Sequence, residues 1–128
     1  MERILTIEEK DFKLPSDGSG NSGFIITTDA QQILLYIDNG QSCCEEWGYL
    51  MSQDDFTDFI GAVVLSVTAV DEALGTYEVP EIYEGGMMFI NIETSKGTLQ
   101  FTAYNDHNGY YSHGAGVVSK QLTQEEYL

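Results

Sequence analysis

Cations are what this chain has least of. It holds five Lys and Arg residues against 21 Asp and Glu, for a formal charge of -16. No Lys or Arg stands between Lys13 and Lys96, and every charged side chain from Asp17 to Glu93 is a carboxylate. Gripping a DNA backbone requires lysines and arginines at the phosphates, so the composition argues against direct nucleic-acid binding. The field of such a chain repels nucleic acid and draws basic protein surfaces, at the cost of self-repulsion. The same acidity also suits a protein that needs only solubility, or one from a salty habitat.

Other absences narrow the classes further. The only cysteines, Cys43 and Cys44, are adjacent, and a vicinal bridge strains the backbone. They are expected as reduced thiols in a cytoplasmic setting. The N-terminal MERILTIEEK has no apolar h-region of a secretory signal, and no apolar run reaches membrane-spanning length. There is no phosphate-binding glycine loop. Asp54-Asp55-x-x-Asp58 misses the glycine and the terminal glutamate of a calcium loop.

What is present is a length and an apolar fraction (128 residues, 42%) suited to one folded domain over 1–128. Pro15 to Gly23 reads as a flexible loop, and 121–128 as a helical turn or loose tail. Ile4, Leu5 and Ile7 suit a short edge strand, while Thr6 followed by Glu9 equally suits the cap of one helical turn. Phe24–Thr28 and Gln32–Asp38 form a hairpin around Asp29-Ala30, and Cys43–Met51 extends it as a meander. Ser52 as N-cap, with Asp55 three residues on, predicts a short helix carrying Phe56, Phe59 and Ile60 inward. Ala62–Val70 is apolar on both faces, which marks a central strand. Met87–Thr94, Thr98–Asn105 and Tyr110–Ser119 read as a second meander, with Leu99, Phe101 and Ala103 facing the core. The expected class is α+β: a curved, mostly antiparallel sheet with one short helix.

Two stretches concentrate the chemistry. Residues 41–49 hold both cysteines, Glu45, Glu46 and the single Trp47. Residues 104–113 hold both histidines, His107 and His113. Cys43 or Cys44 with His107 and His113, joined by Glu45 or Glu46, are zinc-capable donors, but their spacing fits no zinc-site pattern. A thiol nucleophile would need His107 or His113 as base and Asp106 or Asn108 to orient it. Acidic surroundings oppose thiolate formation. Glu45 and Glu46 alternate across a strand and do not flank one bond. No catalytic residue and no cofactor is assigned.

Together, the Cys43-Cys44-Glu45-Glu46-Trp47-Gly48 block and the block from Tyr104 to His113 resemble a small, functionally uncharacterised domain family of bacteriophages and bacteria such as Firmicutes. The resemblance spans roughly residues 24–118. It implies a phage or prophage protein acting in a bacterial cytoplasm. Small acidic phage proteins are often inhibitors of host defence enzymes, including CRISPR nucleases and restriction systems. The leading expectation is therefore a non-enzymatic protein-binding module that occludes a basic nucleic-acid groove. Its carboxylates would be Asp54, Asp55, Asp58, Glu78, Glu81 and Glu84, with Tyr110 and Tyr111 as aromatic anchors. The alternatives are a zinc- or ligand-binding domain built on Cys43, Cys44, Glu45, Trp47, His107 and His113, or a phage structural protein. An exposed sheet edge would also allow a homodimer.

Overall fold

The computed structural model describes residues 1–16, 18–40, 45–82, 85–107 and 112–128, with Glu45 and His107 described in the backbone alone. The described residues form nine strands: β1 (Ile4–Lys13), β2 (Gly20–Thr28), β3 (Gln32–Asp38), β4 (Glu45–Met51), β5 (Val64–Val70), β6 (Gly85–Thr94), β7 (Gly97–His107), β8 (Gly114–Val118) and β9 (Thr123–Tyr127). They build two open antiparallel sheets, ordered β1-β2-β3-β8-β9 and β4-β7-β6-β5. The expectation of one curved sheet with a helix is thereby overturned. Among the described residues the architecture is dominated by two antiparallel sheets with almost no helix.

The predicted helix after Ser52 is a single 3-10 turn, Thr57–Phe59. Its capping groups are engaged elsewhere. The Ser52 hydroxyl accepts the Gln100 N–H at 2.9 Å, and the Ser52 N–H donates to the Gln100 carbonyl. Asp55 Oδ1 accepts from the Thr57 N–H and hydroxyl. Pinned to β7, the connection leaves room for one turn, which buries Phe59 but leaves Ile60 exposed.

Local strand patterns are legible in the sequence, but strand partners are not. The β2–β3 and β6–β7 hairpins form as expected. Both anticipated meanders break, however. β4 pairs with β7 in the second sheet, and β8 pairs with β3 in the first. β5, whose two apolar faces marked it as central, lies at an edge. Gly20–Gly23, read as loop, pair with β1, and the tail supplies β9.

The two sheets form opposite sides of one apolar core. Ile26, Ile33, Leu35, Ile37 and Val117 come from the first sheet, and Ile90, Ile92, Leu99, Phe101 and Ala103 from the second. Alternation along β7 sends Gln100 and Thr102 to the outer face. They are nonetheless fully buried there, because the connection between β5 and β6 folds over them.

Candidate functional site

The two chemistry-rich stretches meet. In the β4–β7 ladder Glu45 lies opposite His107, and Trp47 opposite Asn105. His113, entering β8, stacks on Trp47 with ring centroids 5.2 Å apart and 29° between planes. Its Nδ1 lies 2.6 Å from the Asp38 carbonyl, so Nδ1 carries the proton and donates. His113 is 3% exposed. It is thus a packed, hydrogen-bonded side chain joining β3, β4 and β8. Among the described residues no group of three His, Cys, Asp or Glu is arranged to hold a metal ion. Cys43, Cys44, Glu84, Tyr110 and Tyr111 lie outside the described residues.

The acidic residues expected to meet a partner are carried by two connections. Asp54, Asp55 and Asp58 follow β4, and Glu78 and Glu81 follow β5; all are exposed. Both connections are fastened to one buried residue, Gln100. Ser52 grips its backbone, as described above. Its side-chain oxygen accepts from the Leu74 N–H at 3.0 Å and from the Tyr77 hydroxyl. Its Nε2 donates to the Glu72 carbonyl at 3.0 Å and to Asn91 Oδ1 at 2.9 Å. Tyr77 also meets the Thr102 hydroxyl at 2.8 Å. A fully satisfied buried amide of this kind fixes the backbone around it.

An aromatic cleft that the sequence did not disclose opens beside the first acidic connection. Glu9, Phe24, Tyr49, Leu50, Met51, Gln53, Asp54 and Phe56 line a space of about 270 Å³. Phe24 is the buried ring among them. Tyr49 and Phe56 stand nearly perpendicular to that ring, each 5.7 Å away, at 87° and 83°. Carboxylates flank the aromatics: Glu9 from β1 and Asp54 from the connection. The Tyr49 hydroxyl donates to Glu9 Oε2 at 2.8 Å. Burial raises the Tyr49 pKa well above the ordinary phenol value, and the bond to Glu9 with the charges of Glu9 and Asp11 adds to it. Aromatic faces beside carboxylates attract cations. The cleft draws on β1, β2, β4 and the following connection, so no single stretch of sequence announces it.

Fold and site together define a two-sheet antiparallel β protein with anchored acidic connections and an aromatic cleft. The chain belongs to the family of the domain of unknown function DUF7448, whose model matches residues 2–117 and takes in both chemistry-rich blocks. No curated protein and no solved structure matches the chain. Among the described residues no helix is long and apolar enough to cross a membrane.

Proposed function

We propose that this protein is a non-enzymatic binding module for a basic protein surface, and that a cationic side chain of the partner enters the cleft between Glu9 and Asp54. The cleft is the observation that carries the reading. It combines aromatic surface with two carboxylates in a chain of net charge -16. A cation placed against such rings gains about 0.5–2 kcal/mol, more as water is excluded. The exposed acids of the two connections add long-range attraction, which speeds encounter more than it tightens the complex. Their common attachment at Gln100 supports presentation as one ordered surface. At the finest level, the partner is a nucleic-acid-binding enzyme of a bacterial host, such as a defence nuclease, whose basic groove the protein occludes.

The test uses a Lys/Arg-rich peptide and tetramethylammonium as probes, with a Glu-rich peptide as control. Peptide binding should weaken steeply as salt rises. Both cationic probes should shift the aromatic NMR signals of Phe24, Tyr49 and Phe56, and Asp54→Asn or Phe56→Ala should reduce the effect. Binding indifferent to ionic strength, or shifts that bypass the cleft, would sink the reading.

A further inference from the structure

We propose that the free edge of β5 pairs antiparallel with β5 of a second copy of this chain. The two sheets have four edge strands. Three carry charges: β1 has Glu8, Glu9, Lys10, Asp11 and Lys13; β4 has Glu45 and Glu46; β9 has Glu125 and Glu126. Charges on an edge strand discourage pairing with another chain. β5, VLSVTAV, carries none, and has no proline. It is composed like a central strand and left at an edge.

The open stretch is well delimited. The N-terminal segment covers the start of β5. Ile4 N–H donates to the Ala62 carbonyl, Val64 N–H donates to the Glu2 carbonyl, and Arg3 bridges Val63. A bulge follows between Val64 and Ser66, and Leu65 there is 64% exposed. From Ser66 to Val70 the ladder with β6 is regular, and β5 is the last strand of its sheet. This stretch is self-complementary. A two-fold axis at Thr68 sets Thr68 opposite its own copy, Val67 opposite Ala69 and Ser66 opposite Val70. No like charges face each other, and threonine pairs are favourable across antiparallel strands.

Net charge opposes self-association, and Glu126 of β9, which lines a space with Ala69 and Val70, adds to it; the carboxylates just after β5 and on β6 nearest the axis, however, are well separated from their own copies. Asp71 lies three residues from Thr68, so the two copies of Asp71 are roughly 20 Å apart at about 3.4 Å per residue. Glu93, held by the Ser66 hydroxyl at 3.1 Å, lies one strand further in. Its copies are also roughly 20 Å apart at about 4.8 Å between strands and 3.4 Å along them. The closest like charges across the axis are Asp71 and Glu93 of the second copy, about 10 Å apart on the same spacings, just beyond the Debye length of about 8 Å at physiological salt. The dimer therefore strengthens as salt rises, the opposite sign to binding of a basic partner. Success or failure here is independent of the function proposed above.

Sedimentation of the intact protein over a range of concentration and salt tests this. The expected result is a weight-average mass that climbs towards twice the monomer value with concentration, and climbs further with salt. Thr68→Glu and Thr68→Lys should each weaken dimerisation by about tenfold or more, since each puts like charges face to face at the axis. Thr68→Val should preserve it. Thr68 is exposed, and far-UV circular dichroism checks that each variant is folded. In the unaltered protein, amide exchange at Ser66–Val70 should slow with concentration while that of β1 does not change. Three results would each overturn the proposal: a monomer under every condition, a dimer indifferent to both charged variants, or β5 amides protected only by an added extended peptide.

Discussion

The ring of Tyr104 lies across Gly48, its partner in the β4–β7 register. A Cβ at position 48 would come within 2.7 Å of Tyr104 Cζ. The first sheet repeats the arrangement. Tyr36 lies opposite Gly116, and its hydroxyl reaches past that glycine to Glu125 Oε2 at 2.6 Å. An aromatic ring over a cross-strand glycine restores the packing that the missing side chain gives up.

The two glycines should nevertheless respond differently to alanine. At Gly48 the new methyl meets only the far end of the Tyr104 side chain, which can swing away. At Gly116 it meets the Gln124 carbonyl and the Glu125 Cα of β9, as well as the Tyr36 hydroxyl at 2.9 Å. Backbone on the neighbouring strand cannot give way so cheaply. Overpacking costs about 1–3 kcal/mol. Gly116→Ala should fall at or above the top of that range and Gly48→Ala at or below its bottom. Urea unfolding of the two variants makes the comparison.

Residue alternation reveals which face of a strand is apolar but not which strand lies beside it, and the β5 assignment shows the consequence. Val63, Leu65, Val67 and their neighbours read as a central strand because both faces are apolar. One face of β5 meets the core, and the strand's other flank stays open. The meanders failed for a related reason: β4 and β8 cross between sheets, and nothing in 41–49 or 110–119 encodes that crossing. The helix failed because a capping serine and an acid three residues on were each claimed by a partner, Gln100 and Thr57, that no local pattern identifies. Trp47 and His113 were singled out by residue type, and they do meet. The cleft was missed because Glu9 and Phe24 lie far from Tyr49 and Phe56 in the chain and become neighbours only when the sheets pack.

Gln100 should be the residue whose loss most loosens the second acidic connection. Gln100→Leu fits the space but leaves the Leu74 N–H, the Glu72 carbonyl and Asn91 Oδ1 without the partners they have now. Stranding buried polar groups costs about 1–3 kcal/mol each. The connection can recover part of that by lifting off the sheet towards water. The expected outcome is a stability loss of about 2 kcal/mol together with faster amide exchange at Leu74. Unchanged exchange there would show that the connection is held by other contacts.

His113 makes two separable contributions, a stack and a hydrogen bond. His113→Phe keeps a ring against Trp47 but strands the Asp38 carbonyl, which costs about 1–3 kcal/mol. His113→Ala loses both and leaves a cavity, so it should cost more. Trp47 is the single tryptophan, so its emission reports the stack directly. Emission should shift to the red in the alanine variant, as water reaches the indole, and stay near the wild-type position in the phenylalanine variant.

The ends of the pH range should each be dominated by an identifiable group. At the acid end, burial acts to raise the Glu2 pKa, but hydrogen bonds from Thr28, Gln31 and Gln121 and the charge of Lys120 together hold it below the ordinary value. A depressed carboxyl contributes stability above its unfolded pKa of about 4.3 and loses it as pH falls through the folded value. The gap in Tm between wild type and Glu2→Gln should therefore be constant above about pH 5 and shrink below about pH 4. At the alkaline end the sign reverses. Tyr49 is held neutral by burial and by Glu9, so its stabilisation is complete below the unfolded phenol pKa of about 10 and is lost as pH climbs through the higher folded value. Of the eight tyrosines, Tyr49 should be among the last to ionise. Ultraviolet titration of Tyr49→Phe should lose a late phenolate step while the earlier ones stay in place. Loss of an early step instead would mean that the hydroxyl is open to solvent and not paired with Glu9.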